Sequence, residues 1–246
     1  MKLIQVTDSH LLADKQRSGY NGICPYDSLQ AVLALVRQRD PDYLLLTGDL
    51  SGDESADSYA HLHELLCESG LMARSWMIPG NHDDPSLMQG LFPQAMGWQK
   101  QSIEGEGWQV HGLNSAYQGT LGRVSQRQLD ELVQRVEASP DTHHAIAVHH
   151  HPLPVNGWMD RHQWLNRQDF LCAIKELSQV KLVLYGHIHS AAETRYHHIQ
   201  IQACPSSCWQ WQHSADFAVA DELPGFREIT LNGDGHFSSQ VYRTQE

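Results

Sequence analysis

Five short apolar runs in this chain are each followed at once by residues of the metal-binding kind, and this recurrence constrains the fold more than any other feature. KLIQV leads into Thr7-Asp8-Ser9-His10. YLLL leads into Thr47-Gly48-Asp49. WMIP leads into Gly80-Asn81-His82-Asp83. AIAV leads into His149-His150-His151-Pro152, and LVLY into Gly186-His187-Ile188-His189. Each run is four or five residues long and rich in β-formers, so each reads as a buried strand.

Helical patterns lie between the runs. Asp27 or Ser28 can cap a helix with Leu29, Val32, Leu33 and Val36 on one face, and Pro41 stops it. A second runs from about Glu54 to Gly70. Ser125 with Gln128 makes a capping box before Leu129, Leu132, Val133 and Val136. Asn166 with Asp169 starts a last helix carrying Phe170, Leu171, Ile174 and Leu177. WQVHGLNSA, residues 108–116, reads as a further strand. Strands alternating with helices predict a largely parallel sheet with helical crossovers. From about residue 194 the pattern turns to β, ending in a hairpin with an Asn-Gly turn in ITL-NGDG-HFSSQVYR. The expectation is an α/β sandwich in a single domain over residues 1–246, its C-terminal antiparallel strands closing a second sheet.

Composition narrows the function. The net charge is −12, and no Lys/Arg cluster offsets it, so nucleic acid and anionic membranes are poor partners. No stretch has the roughly 18 to 20 apolar residues of a membrane span. MKLIQVTD has no signal-peptide character, so a cytoplasmic location is expected. The 5 cysteines are widely spaced without a C-x-x-C and read as reduced thiols. The 17 histidines equal Lys and Arg combined.

Ligands in open α/β sheets sit at the carboxyl ends of strands, where all five polar clusters fall. Asp8 and His10 are i and i+2, and an extended segment would point both the same way; His187 and His189 repeat the spacing. The inventory is two carboxylates, several imidazoles and one amide. It suits Fe, Mn, Zn or Co rather than a soft metal. Seven candidate ligands exceed one tetrahedral zinc and fit two ions sharing a carboxylate, an arrangement made for in-line phosphoryl displacement.

In this order, D-x-H, GD, GNHD, H and GHxH resemble the calcineurin-like metallophosphoesterase family, over about residues 3 to 190. The resemblance implies a four-layer α/β/β/α sandwich of two mixed sheets. It implies that Asp8, His10 and His189 bind a first metal, that Asn81, His149 and His187 bind a second, and that Asp49 bridges them. His82 is then not a ligand. It faces the substrate phosphate, to stabilise it or to protonate the leaving oxygen. Substrate contact is implied for His10, Asp49, Asn81, His82, His149 and His189. Family members read HHPP where this chain reads HHHP. An ungapped alignment puts the ligand at His149, with His150 the alternative and His151 in a usual proline position.

The segment LLADKQRSGYNGICPYDSLQAVL, with HHPLP and Ala203-Cys204-Pro205-Ser206-Ser207-Cys208, looks like the bacterial class III 3′,5′-cyclic AMP phosphodiesterases. The implied reaction is hydrolysis of 3′,5′-cyclic AMP to 5′-AMP, with two ions, Fe and/or Mn foremost, and a small-molecule nucleotide as partner. Some relatives form homodimers. Alternatives are cleavage of another small diester such as a glycerophosphodiester, or a non-catalytic binding scaffold on the same fold. Relatives end the 108–116 strand Leu-Asp-Ser, whereas Leu113-Asn114-Ser115 here lacks a carboxylate that would orient the ligands. Asp83 reads as a loop-holding residue and Cys204 and Cys208 as packed thiols. His61, His63, His143, His144, His197 and His198 read as surface residues. Trp209 and Trp211 read as core or interface packing, with adenine stacking as the alternative. Tyr20, Asn21 and Trp158 fall in loops near the site, where base or ribose contact is the alternative.

Overall fold

The computed structural model describes residues 1–245. The strands are β1 (Lys2–Val6), β2 (Tyr43–Leu46), β3 (Ser75–Met77), β4 (Ile103–Gly105), β5 (Trp108–Gly112), β6 (His143–Ala147) and β7 (Val180–Tyr185). They continue as β8 (Ala192–Tyr196), β9 (Ile199–Ala203), β10 (Gln210–Trp211), β11 (Val219–Ala220), β12 (Gly225–Leu231) and β13 (Phe237–Arg243). The α-helices are α1 (Pro25–Arg39), α2 (Ala56–Glu68), α3 (Pro85–Leu91), α4 (Gln126–Glu137) and α5 (Arg167–Lys175).

Two mixed sheets result, ordered β13-β12-β1-β2-β3 and β4-β5-β6-β7-β9-β8. The runs β1-β2-β3 and β5-β6-β7 are parallel, so their carboxyl ends share a direction within each sheet. The sheets face each other across Leu3, Leu45, Ile78, Trp98, Trp108, Ala147, Leu182 and Ile229. Outside the first sheet, α1, α2 and α3 pack their apolar stripes onto Ile4, Leu44 and Met77. Outside the second, α4 and α5 cover Ile146, Val183 and Ile201. The layers run α/β/β/α, the sandwich the motif order implies. All five cysteines are free. Among the described residues no helix is long and apolar enough to cross a membrane.

Local differences from expectation have local causes. Helix α1 starts at Pro25, before Asp27 and Ser28, because proline's fixed φ and missing N–H suit the first helical position. Asn166 precedes α5 but does not cap it; its amide serves Val124 and the Trp164 indole instead. Strand β5 stops at Gly112, and Leu113–Ala116 continue as loop. The C-terminal hairpin pairs Leu231 with Phe237, so five residues, 232–236, connect the strands rather than a two-residue Asn-Gly turn. Gly235, at φ 85°, takes the left-handed position.

His144, expected at the surface, is buried. Its Nδ1 lies 2.9 Å from His111 Nε2, and the two rings stack at 12°. Burial, then the neighbouring His144, pushes the His111 imidazole down to about 3. An unfolded His111 takes up a proton as pH falls through 6.5, while the folded one refuses it until about pH 3. Stability from this pair is therefore complete above pH 6.5 and declines below it. Urea titrations from pH 7 to pH 4 should show wild type losing more stability than His111→Leu once the pH falls below 6.5, at a slope that approaches about 1.4 kcal/mol per pH unit; parallel slopes would contradict this.

Candidate metal centre

The loops after β1 and β2 run side by side: Asp8 N–H donates to Gly48 O and His10 N–H to Asp49 O, at 2.9 and 3.0 Å. Asp8, His10, Asp49, His187 and His189 all have φ between 44° and 67°. The i, i+2 pairs do aim two side chains at one place, but through left-handed backbone rather than an extended strand. Non-glycine residues hold that conformation only where surrounding contacts enforce it, and such strain collects at functional sites. Glycines permit the close approach. A Cβ on Gly80 would sit 2.2 Å from Asp49 Oδ1.

Two triads of buried side chains result. Asp8, His10 and His189 form one, and Asp49, His149 and His187 the other, each with ligand atoms within 4.8 Å of one another. Asp49 Oδ2 links them, 3.4 Å from His149 Nε2 and 3.9 Å from His10 Nε2. Asn81 Oδ1 lies 3.2 Å from His149 Nε2, at the second triad. Backbone carbonyls set the tautomers. His149 Nδ1 donates to Thr47 O, His189 Nδ1 to Trp209 O and His187 Nε2 to His162 O, at 2.9, 2.8 and 3.0 Å. The other nitrogen of each ring then faces the site as a lone pair.

These atoms fit metal ions. Buried Asp8 Oδ1 has no hydrogen-bond partner. His10 Nε2 and His189 Nε2 face each other at 3.0 Å, and His187 Nδ1 and His149 Nε2 at 3.2 Å. Such convergence of acceptors is costly without a cation between them. Burial pushes the Asp8 and Asp49 carboxyls upward, but the imidazoles beside them, His189 and His149 foremost, hold both below the ordinary carboxylate value. Burial pushes His10 down to about 3. Burial also opposes charge on His149, yet the Asp49 carboxylate carries it up to about 9. The site is thus built for positive charge between two carboxylates, and the structure provides two metal-binding sites.

The histidine run separates cleanly. His149 enters the second triad. His150 turns away, its Nδ1 2.8 Å from Ser115 Oγ. His151 stacks on His187 with its Nε2 3.5 Å from Asp160. Asp83 accepts N–H bonds from Gly80, Leu50 and Ser51 and the Tyr59 hydroxyl, tying the loop after β3 to the loop after β2. Asn114 does not reach the ligands. Its Oδ1 accepts from Ala116 N at 2.9 Å, a bond that an aspartate could make equally. His61 is half-buried with its Nδ1 at Leu12 O, not solvent-facing.

His82 is half-buried beside the triads. Its N–H donates to Asp49 Oδ1 at 2.8 Å, and its ring stands edge-on to His10 at 5.3 Å. A cleft of about 260 Å³ opens here, with His10, Asp49, Asn81, His82, His187 and His189 as its floor. Tyr20, Thr120, Trp158, His162, Trp209 and Trp211 form its walls. Trp209 and Trp211 therefore line the site as well as packing: Trp209 is buried and Trp211 rests on the core under the second sheet. Their indoles stack on His10 at 5.3 Å and His189 at 4.7 Å. Asn21 lies outside the lining, its amide bonded to Ala220 O. The Thr47, His162 and Trp209 carbonyls carry no sequence signal, since any residue supplies one. Phe217, against Trp211 and Trp158, could have been suspected as an aromatic in a polar loop.

Comparison with known proteins is consistent with this geometry. Residues 1–191 match the model of the calcineurin-like phosphoesterases. A 3′,5′-cyclic-nucleotide phosphodiesterase of Nostoc is 36% identical over 248 residues, covering 99% of this chain and 92% of that protein. The 3′,5′-cyclic adenosine monophosphate phosphodiesterase CpdA of Escherichia coli is 32% identical over 249 residues, covering 99% and 90%. Among solved structures, a dimetal phosphatase from Danio rerio aligns over 100% of this chain and 99% of its own with a TM-score of 0.72; at 13% identity it speaks for the fold alone.

Proposed function

Because the chain belongs to the calcineurin-like phosphoesterase family, we infer that it hydrolyses 3′,5′-cyclic AMP to 5′-AMP as a two-metal phosphodiesterase. The observation that carries this reading is the pair of triads joined through Asp49 Oδ2, set in a chain alike end to end to cyclic-nucleotide phosphodiesterases. Asp8, His10 and His189 would hold one ion, and Asn81, His149 and His187 the other, with Asp49 shared. The donor set suits Fe or Mn best, with Zn or Co as substitutes. Two bound ions would supply a nucleophile at neutral pH and countercharge for the phosphoryl oxygens.

The chain's own groups do the rest. The three carbonyl-anchored imidazoles keep their lone pairs aimed inward, so donor geometry is set before substrate arrives. A ring N–H of His82 passes its proton to the 3′ oxygen as the bond from that oxygen to phosphorus breaks, yielding the 3′ hydroxyl of 5′-AMP. His10, Asp49, Asn81, His149 and His189 surround the diester with His82. A cyclic diester carries one negative charge, which a centre with two cations and two carboxylates accepts despite the acidic surface. The same reading makes the protein a cytoplasmic enzyme that lowers cyclic nucleotide in the cell, with a homodimer as the assembly to test.

The experiment is a substrate panel on metal-loaded protein. Cyclic AMP should be turned over faster than a glycerophosphodiester such as glycerophosphocholine. The reverse order would move the substrate to glycerophosphodiesters, and no turnover of either would leave a binding scaffold.

A further inference from the structure

The wall of the cleft continues outward as an unbroken set of aromatic rings. Trp209 and Trp211 cover the His10 and His189 imidazoles with parallel faces, at 18° and 19°. Tyr20 meets both indoles edge-on at 5.2 and 5.1 Å. Phe217 meets Tyr20, Trp158 and Trp211 at 5.6, 5.0 and 5.4 Å. Tyr20 is 46% exposed and Phe217 51%, so two large rings at the mouth are left half in water. Packing alone does not account for that, because the same rings turned inward would bury more apolar area.

Some of the polar atoms around this wall are already engaged. Trp158 Nε1 donates to Gln212 O at 3.1 Å, and the Asn21 amide donates to Ala220 O. Gly19 lies flat on the Trp209 indole, where a Cβ would stand 2.2 Å from the ring, so the loop carrying Tyr20 is pressed against the wall. The surface offers π-faces beside the floor of metal-binding residues.

Resting on the cyclic-nucleotide reading above, we propose that Tyr20, Trp158, Trp211 and Phe217 form a platform that holds the nucleobase by stacking. Trp209 plays a different part: its indole backs His10 and its carbonyl orients His189. A platform built of ring faces grips a base chiefly by its face. It therefore favours a nucleoside over a base-free diester, and a purine over a pyrimidine through its larger face.

Base–aromatic stacking is worth about 1–3 kcal/mol per base when the ring is cut to alanine, a loss of roughly 5- to 150-fold. The test uses adenosine, which carries no phosphate, titrated into metal-loaded protein with tryptophan fluorescence as the readout. Adenosine should quench the wild type saturably and more tightly than cytidine. Phe217→Ala and Tyr20→Ala should each weaken it roughly ten-fold, and Phe217→Tyr and Tyr20→Phe should restore it. In parallel, the ratio of kcat/KM for cyclic AMP to that for the base-free cyclic diester trimethylene phosphate should fall by a similar factor in the alanine variants. Undiminished adenosine binding in both alanine variants, or no adenosine binding by wild type, would overturn the platform while leaving the hydrolytic reading intact. Failure of wild type to hydrolyse cyclic AMP while adenosine still binds as described would overturn only the hydrolytic reading.

Discussion

Asp49→Ala should strip the chain of both metal ions and lower cyclic AMP turnover by roughly three orders of magnitude or more. Asp49 belongs to the second triad and its Oδ2 also faces the first, 3.4 Å from His149 Nε2 and 3.9 Å from His10 Nε2. Its Oδ1 also accepts the His82 N–H, so the same substitution frees the loop that carries Asn81 and His82. Without it, Asp8 is the only ligand carboxylate left, and both sites lose charge together. Asp8→Ala is the comparison. Asp8 belongs to the first triad, and its Oδ2 is taken by the Thr7 hydroxyl and the His187 N–H, so its removal should cost mainly the first site. Metal analysis of the two purified variants beside wild type decides the matter. Equal metal loss in the two, or two ions retained in Asp49→Ala, would remove the bridging role.

His82→Ala should keep both ions and lose about 10²- to 10⁴-fold in kcat for cyclic AMP, the usual share of general acid catalysis. The side chain belongs to neither triad, and its ring reaches the site from the side at 5.3 Å from His10. The loss should depend on the leaving group. An alkoxide such as the 3′ oxygen needs a proton as it departs, whereas p-nitrophenolate does not. Turnover of bis-p-nitrophenyl phosphate should therefore fall far less than turnover of cyclic AMP. An equal fall for both substrates would make His82 a positioning residue rather than a proton donor.

Much of this was legible in the residues because strand and site are written together. A buried strand must end somewhere, and the residues that follow it become the floor of a cleft; the five apolar runs thus announced both the sheets and the polar clusters. The tautomers were not legible, because they are set by the Thr47, His162 and Trp209 carbonyls. The left-handed backbone at Asp8 and His10 was equally hidden, since tertiary contacts rather than residue type impose it. Histidine itself misled at His144, where a polar side chain near a strand end suggested the surface. Its partner His111 lies on the neighbouring strand, and pairing across a sheet cannot be read from one segment. Trp209 and Trp211 were half legible: they pack as large apolar rings suggest, and their lining of the cleft depends on the fold.

The most direct test of the two-metal account is a titration of metal-free protein with Mn²⁺, following phosphorus NMR of cyclic AMP and its product. The account predicts that activity rises with the second equivalent bound and that 5′-AMP is the product. Full activity at one ion per chain, or 3′-AMP as the product, would contradict it.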